Sequence, residues 1–386
     1  MPAHARALAA LSLLFTPALI VAQTPPRYVL TRDLRIDAAA ANLSPVTWLA
    51  VSPSGTIAVG QQQDHLIRFF DAAGKALGTF GREGEGPGEF RGLDKFGVGW
   101  RGDSLWVGDY NLRRFAMITP ERKLLRTVPA ALTIKGLGDT AASVMVTGAV
   151  SLYPDGSQLV DVVLPSSLAQ RPAWANDPNH LDTRLALIAV SASGEFERLV
   201  SYGPRDDCGM AMSYAYMLCG RLTVGIDPTA EHIAWGTMSY AGPDSGTYRI
   251  TMLNRRGTTI YSRKYPFTAQ TIPAHIRDSL NERARTQKLP VMPTPLGPRF
   301  GPPTIYPGLE TVLVGTDGSA WAQLRPTDAG IPWVMLSPRG DVTGTLTVPA
   351  NVKLMVVGRG VVWGTEKDAD DVESVVRFRV ARAKGR

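Results

Sequence analysis

The chain of 386 residues is 44% hydrophobic and 19% charged, enough apolar content for a large core and too much for an extensively disordered polymer. Its 38 glycines and 29 prolines call for many tight turns, which excludes a helical bundle, a coiled coil and a polytopic membrane protein. The net charge of +7 is scattered and forms no stripe of the kind that tracks a phosphate backbone, so nucleic acid is not an expected partner.

Residues 1–22 read as a secretory signal peptide. Arg6 and the amino terminus make a positive n-region, Leu8 to Val21 is an apolar stretch broken by Pro17, and Ile20-Val21-Ala22 forms a cleavage site before Gln23. That stretch is short for an anchor, and no later apolar run is long enough to cross a bilayer. The mature chain is therefore expected to be periplasmic or secreted, monomeric and not integral to the membrane. A small molecule or an envelope protein or polymer is the expected partner.

Tyr28 to Ile36 is a strand that precedes the first repeat. From there one hairpin plan recurs, an apolar strand, a turn and a second apolar strand ending in a small residue. It appears as Val51-Ser-Pro-Ser-Gly55-Thr-Ile-Ala-Val59-Gly60 and again as Val98-Gly-Trp-Arg-Gly102-Asp-Ser-Leu-Trp-Val107-Gly108. Further copies run from Leu152 to Val160, Ile226 to Gly236, Val314 to Ala322 and Val357 to Gly364. Ser-Gly and Asp-Gly supply the positive backbone torsion that such turns need. Val59, Val107, Trp235, Trp321 and Trp363 occupy one repeated slot and are expected to pack between neighbouring sheets.

A second hairpin follows most copies, at Asp71, Thr119, Ser191, Asn254 and Ser337. In each, a short polar side chain able to bond its own turn follows an apolar strand end. The interval from Asp71 to Thr119 fits one four-stranded blade, and the longer intervals after it require insertions. Six such units predict an all-β, six-bladed β-propeller of four-stranded antiparallel blades. The blades fall near 46–80, 94–128, 143–203, 221–265, 309–348 and 352–382. The last blade lacks an outer strand, and Tyr28 to Ile36 is expected to supply it and close the ring.

Pro165 to Asp182 widens blade three, and residues 266–308 form a helical and proline-rich insertion. Within it, Pro273 opens a helix in which Ile276, Leu280 and Ala284 recur at helical spacing. Cys208 and Cys219 are an even pair, close in sequence and in an oxidising compartment, and are expected to form a disulfide.

The stretch Phe80-Gly-Arg-Glu-Gly-Glu-Gly-Pro-Gly-Glu-Phe90, followed by Val107-Gly-Asp-Tyr-Asn-Leu-Arg-Arg-Phe115, resembles bacterial six-bladed propeller proteins related to NHL repeats. The helix, the proline-rich run and Thr316-Asp-Gly-Ser-Ala-Trp321 are similar to their later blades, so the resemblance covers the mature chain. It implies a propeller that acts as a binding platform, although blade three lacks the Asp-x-Asn-x-Arg element.

No residue pattern carries a catalytic signature. The glycines at 81, 84, 86 and 88 lack the Lys-Ser/Thr ending of a phosphate loop and suit a crossover of close backbone approach. Gly102-Asp103-Ser104-Leu105 spells a hydrolase motif, but Ser104 sits in the hairpin slot of Thr56, Ser157 and Ser319. His65, His180, His232 and His275 match no zinc spacing, and the acidic run Glu366 to Glu373 lacks the central glycine of a calcium loop.

Asp109, Asn111 and Arg113 lie where a strand of blade two meets the upper face, with Gln61 and Arg68 in blade one nearby. They are the expected ligand contacts, set against a role for Asp109 and Asn111 in bonding the adjacent turn. No cofactor is expected on this reading. The alternative is a metal-dependent hydrolase or lyase of the lactonase or amidating-lyase kind. It would hold calcium in the central tunnel with Asp94, Glu310 and Asn351.

Overall fold

Alternating apolar residues and turn-forming residues build the chain into strands that run out from a central axis in sequence order. A computed structural model describes residues 25–93, 96–137, 144–165, 167–180, 183–204, 222–242, 244–286 and 304–383. Residues 1–22, which the sequence reading expects to be a signal peptide, and Asp94, Cys208 and Cys219 lie outside the described residues.

The chain enters at β1 (Tyr28–Ile36), followed by a short helix α1 (Ala38–Ala41) that the repeat pattern does not announce. Asp37 caps that helix at its start through the Ala40 amide, and Asn42 ends it in the left-handed region. Blade one is β2 (Trp48–Val51), β3 (Ile57–Gln61), β4 (Leu66–Phe70) and β5 (Ala76–Phe80). Blade two is β6 (Val98–Arg101), β7 (Ser104–Asp109), β8 (Arg114–Ile118) and β9 (Leu124–Pro129). Blade three is β10 (Met145–Leu152), β11 (Gln158–Val163), β12 (Leu185–Val190) and β13 (Phe196–Tyr202). Blade four is β14 (Thr223–Ile226), β15 (His232–Gly242), β16 (Ser245–Asn254) and β17 (Thr259–Tyr265). The helix expected from Pro273 is α2 (Ala274–Thr286). Blade five is β18 (Leu309–Val314), β19 (Ala320–Leu324), β20 (Ile331–Leu336) and β21 (Val342–Val348). Blade six is β22 (Val352–Val357), β23 (Val361–Lys367) and β24 (Glu373–Arg382).

Each blade is an antiparallel sheet whose strands pair in chain order, and β1 completes the sixth as its outer strand. The pairing runs from Tyr28 opposite Arg382 to Ile36 opposite Val375. The protein is thus a six-bladed β-propeller closed by its N-terminal strand.

The core is a circle of apolar layers between blades. Val59, Val107, Trp235, Trp321 and Trp363 are all buried, each in such a layer. Burying each of these side chains contributes roughly 1.5–3 kcal/mol. The small residue after them is dictated by packing: a Cβ on Gly60 would stand 2.1 Å from the Trp48 indole. The turn slots also behave as read. Gly55, Gly156 and Gly318 adopt positive φ, and Ala230 takes the same strained slot in blade four at φ 53°. In the outer turns Asp71, Ser191, Asn254 and Ser337 each accept a backbone amide four residues on.

Charges reinforce the closure. Asp33 sits in a bulge of β1 and accepts Arg377 Nε at 2.8 Å and Arg379 Nε at 2.7 Å. Arg35 reaches Glu366 on β23 at 2.8 Å, Arg32 pairs with the same carboxylate, and Arg377 stacks on Trp363. The hydrogen bond from Arg377, with Arg379 behind it, holds the Asp33 carboxyl below its usual range. A depressed carboxyl stabilises the fold above its unfolded pKa and loses that contribution as pH falls through the folded value. Asp33→Asn is therefore expected to lower stability by about 1 kcal/mol at neutral pH, since the pairs are partly solvated. Melting curves against pH should show the difference from the parent closing below the ordinary aspartate range.

Candidate functional site

Strand direction divides the ring into two unlike faces. The turns between first and second strands, and between third and fourth, open on the lower face and are short. Loops between second and third strands and the crossovers between blades open on the upper face. The described parts of the glycine-rich crossover after β5 and of the insertion after β11, together with α2 and the acidic loop 368–372, are all there. Recognition loops on a rigid scaffold gather on such a face.

At the junction of blades one and two, the motif residues are tied to the crossover backbone. Asp109 is buried, and its two carboxylate oxygens accept the Arg91 amide at 2.8 Å and the Leu112 amide at 2.9 Å. Asn111 donates to the Arg91 carbonyl at 2.9 Å, and Gln62 does so at 3.1 Å while accepting the Leu93 amide. Tyr110 adds a backbone bond to Gly92. The Asp-x-Asn pair thus clamps the entry to blade two.

The glycine-rich loop is self-supporting. Glu89 accepts the Gly86 amide at 2.7 Å and the Arg82 guanidinium, Arg114 reaches the Gly86 carbonyl at 2.6 Å, and Phe80 meets Phe90 edge-on. The Gly86 amide, with Arg82, keeps the Glu89 carboxyl below its usual range.

Gln61 is buried and saturated, donating to Ser44 and accepting Arg68 Nε at 2.6 Å. Arg68 is half-buried and stands 4.0 Å from Asp64. Arg113 differs from all of these. It is exposed, adopts φ 52°, and its guanidinium has no partner among the described residues.

The residues of the metal alternative have other engagements. Glu310 pairs with Arg325 at 3.4 Å, and the Asn351 amide donates to the Lys367 carbonyl at 2.8 Å. No group of three potential metal-binding side chains occurs among the described residues. In the acidic run, Glu366 serves the closure, Glu373 accepts the Val46 amide, and Asp368 caps its own loop. Ser104 opens β7 on the lower face, His180 stacks on Tyr202, and His232 bonds the buried Asp227 at 2.8 Å.

One carboxylate escaped the sequence reading. Asp161 on β11 accepts Thr147 Oγ1 at 2.6 Å, its other oxygen is buried without a partner, and burial raises its pKa. The signal was an aspartate interrupting the apolar run Leu159 to Val163.

The sequence matches no protein-family description and no curated protein. Solved structures do share the architecture. A member of the DUF4221 family from Bacteroides vulgatus has a TM-score of 0.50 at 11% identity, over 93% of this chain and 100% of that one. The calcium-binding protein regucalcin from Agrobacterium tumefaciens gives 0.40 at 9% identity, over 92% and 96%. Virginiamycin B lyase from Staphylococcus aureus gives 0.36 at 11%, over 93% and 90%. Identities this low speak to fold and not to chemistry. The six-bladed fold that the resemblance to NHL-type propellers implies is the one observed. No helix among the described residues is long and apolar enough to cross a membrane.

Asp109→Ala is expected to cost about 2 kcal/mol, because two backbone amides lose their acceptor in a buried site. Arg113→Ala should leave the urea midpoint where it is. Equal midpoints for the two variants would remove Asp109 from the clamp.

Proposed function

We propose that the chain is an exported ligand- or protein-binding platform that recognises its partner with the upper face of the ring. The supporting observation is the contrast at the junction of blades one and two. Asp109, Asn111 and Gln62 fix the backbone of the rim, while Arg113 stands exposed upon it with no partner for its guanidinium among the described residues. The rim backbone is fixed in advance and needs no ordering when a partner arrives, and the exposed guanidinium favours an anionic group on that partner. Asp109 and Asn111 then act as positioning residues and Arg113 as the contact. Gln61 and Arg68 support them from blade one, and loops of neighbouring blades supply further polar groups.

The test is binding of the mature chain to immobilised anionic envelope polymers and short acidic peptides at low and high salt. Arg113→Ala should weaken that binding roughly tenfold, the loss of one charge-assisted contact. Unchanged affinity would overturn the assignment. Metal content after dialysis without chelator is the companion measurement. This reading expects substoichiometric metal, since Glu310 and Asn351 are engaged elsewhere. Near-stoichiometric calcium would displace it in favour of the hydrolase.

A further inference from the structure

The lower face, otherwise closed by short turns, carries a concavity of about 700 Å³ where blades three and four meet. Arg198 of β13, Glu231 of the first blade-four turn and Asn254, Arg255 and Arg256 of the outer blade-four turn line it. Three guanidinium groups thus face one carboxylate across a polar space.

Sequence and packing both mark this turn as unusual. The two residues after the turn's capping side chain are Ala72-Ala73, Pro120-Glu121, Ala192-Ser193 and Pro338-Arg339 in the other blades that have it. Blade four alone places two arginines there. Gly257 brings that turn down onto blade three. Its φ is +86°, and a Cβ would lie 1.8 Å from the Val200 carbonyl, so no side chain separates the turn from β13. Arg198 consequently reaches the Arg255 carbonyl at 3.4 Å.

The walls are set in advance. Arg255 lies 4.1 Å over the Tyr153 ring, bonds Asp155 at 3.1 Å, stands 3.6 Å from Glu231 and donates its amide to the Glu231 carbonyl. Those two carboxylates are therefore committed to Arg255. Besides the Arg255 carbonyl, Arg198 meets Glu197 at 3.5 Å, and its Nε is buried without a partner among the described residues. Arg256 is exposed, and its guanidinium has no partner among the described residues. The three arginines are balanced in number by Asp155, Glu197 and Glu231, but the Arg256 guanidinium and the Arg198 Nε are left without partners among the described residues in a concave and polar site, and planar forks of this kind match oxyanions.

We infer that the groove between blades three and four is an anion-binding site, distinct from the upper face, for a ligand presenting a phosphate or carboxylate group. Arg256 and Arg198 grip the anion, and Arg255 forms the rigid wall between them. Isothermal titration of the mature chain with pyrophosphate and with citrate at low salt tests this. Saturable binding of one equivalent is expected, weakened roughly tenfold by Arg256→Ala and by Arg198→Ala and unaffected by Arg339→Ala, at the corresponding exposed position of the blade-five turn. The tighter of the two anions assigns the ligand to the phosphate or the carboxylate class. The Arg256 guanidinium has no hydrogen-bond or ion-pair partner among the described residues to lose, so its variant should melt with the parent. Absence of saturable binding by either anion, or binding that both lower-face substitutions leave unchanged, would overturn the inference. Neither outcome bears on Arg113 and the upper face.

Discussion

A ring of sheets has no stable half-way state at its seam, and this propeller depends on the pairing of β1 with β24. Without it the last blade would expose an unpaired edge, and the layer joining Ile57 and Val59 to Trp363 and Val375 would open to water. The chain spends backbone pairing, an apolar layer and a charge cluster on one joint. Asp33 meets Arg377 and Arg379, while Glu366 meets Arg32 and Arg35, so acid and base alternate across the seam. Once the seam holds, every other blade is locked between two neighbours.

The fold was legible because a propeller writes the same local physics many times. Turn chemistry at Gly55, Gly156 and Gly318, caps at Asp71 and Asn254, and large residues at Val59 and Trp363 repeat at fixed offsets. A single ambiguous strand is thereby corrected by its counterparts. Helix α1 was missed because four alanine-rich residues carry no periodicity, and only Asp37 and Asn42 mark its ends. The candidate site was harder to read. Asp109, Asn111 and Arg113 share one motif, but sequence cannot tell a side chain that faces a crossover amide from one that faces solvent. That distinction depends on where Arg91, eighteen residues earlier, comes to rest. The arginines of the lower groove were invisible for a related reason. Arg198 and Arg255 are neighbours only because Gly257 lets two blades touch.

The two faces divide the work of the ring. Below, short turns held by their own side chains leave little to vary, and the groove beside Arg256 is an exception built on a standard turn. Above, crossovers and insertions differ from blade to blade while their attachment points stay fixed. The glycine-rich loop shows how: Glu89 and Arg114 fold it back on itself, and its sequence is used to make a firm ledge.

The geometry of the seam also sets an order in time. Among the described strands β1 is made first, and its partners, residues 373–382, are made last. Until those residues are made β1 has no strand to pair with, and the contacts that finish the ring span 344 positions of chain. Closing so long a loop is slow, and no earlier event can substitute for it. The ring consequently stays open until residues 373–382 have been made, a state that leaves a strand unpaired and invites capture by chaperones.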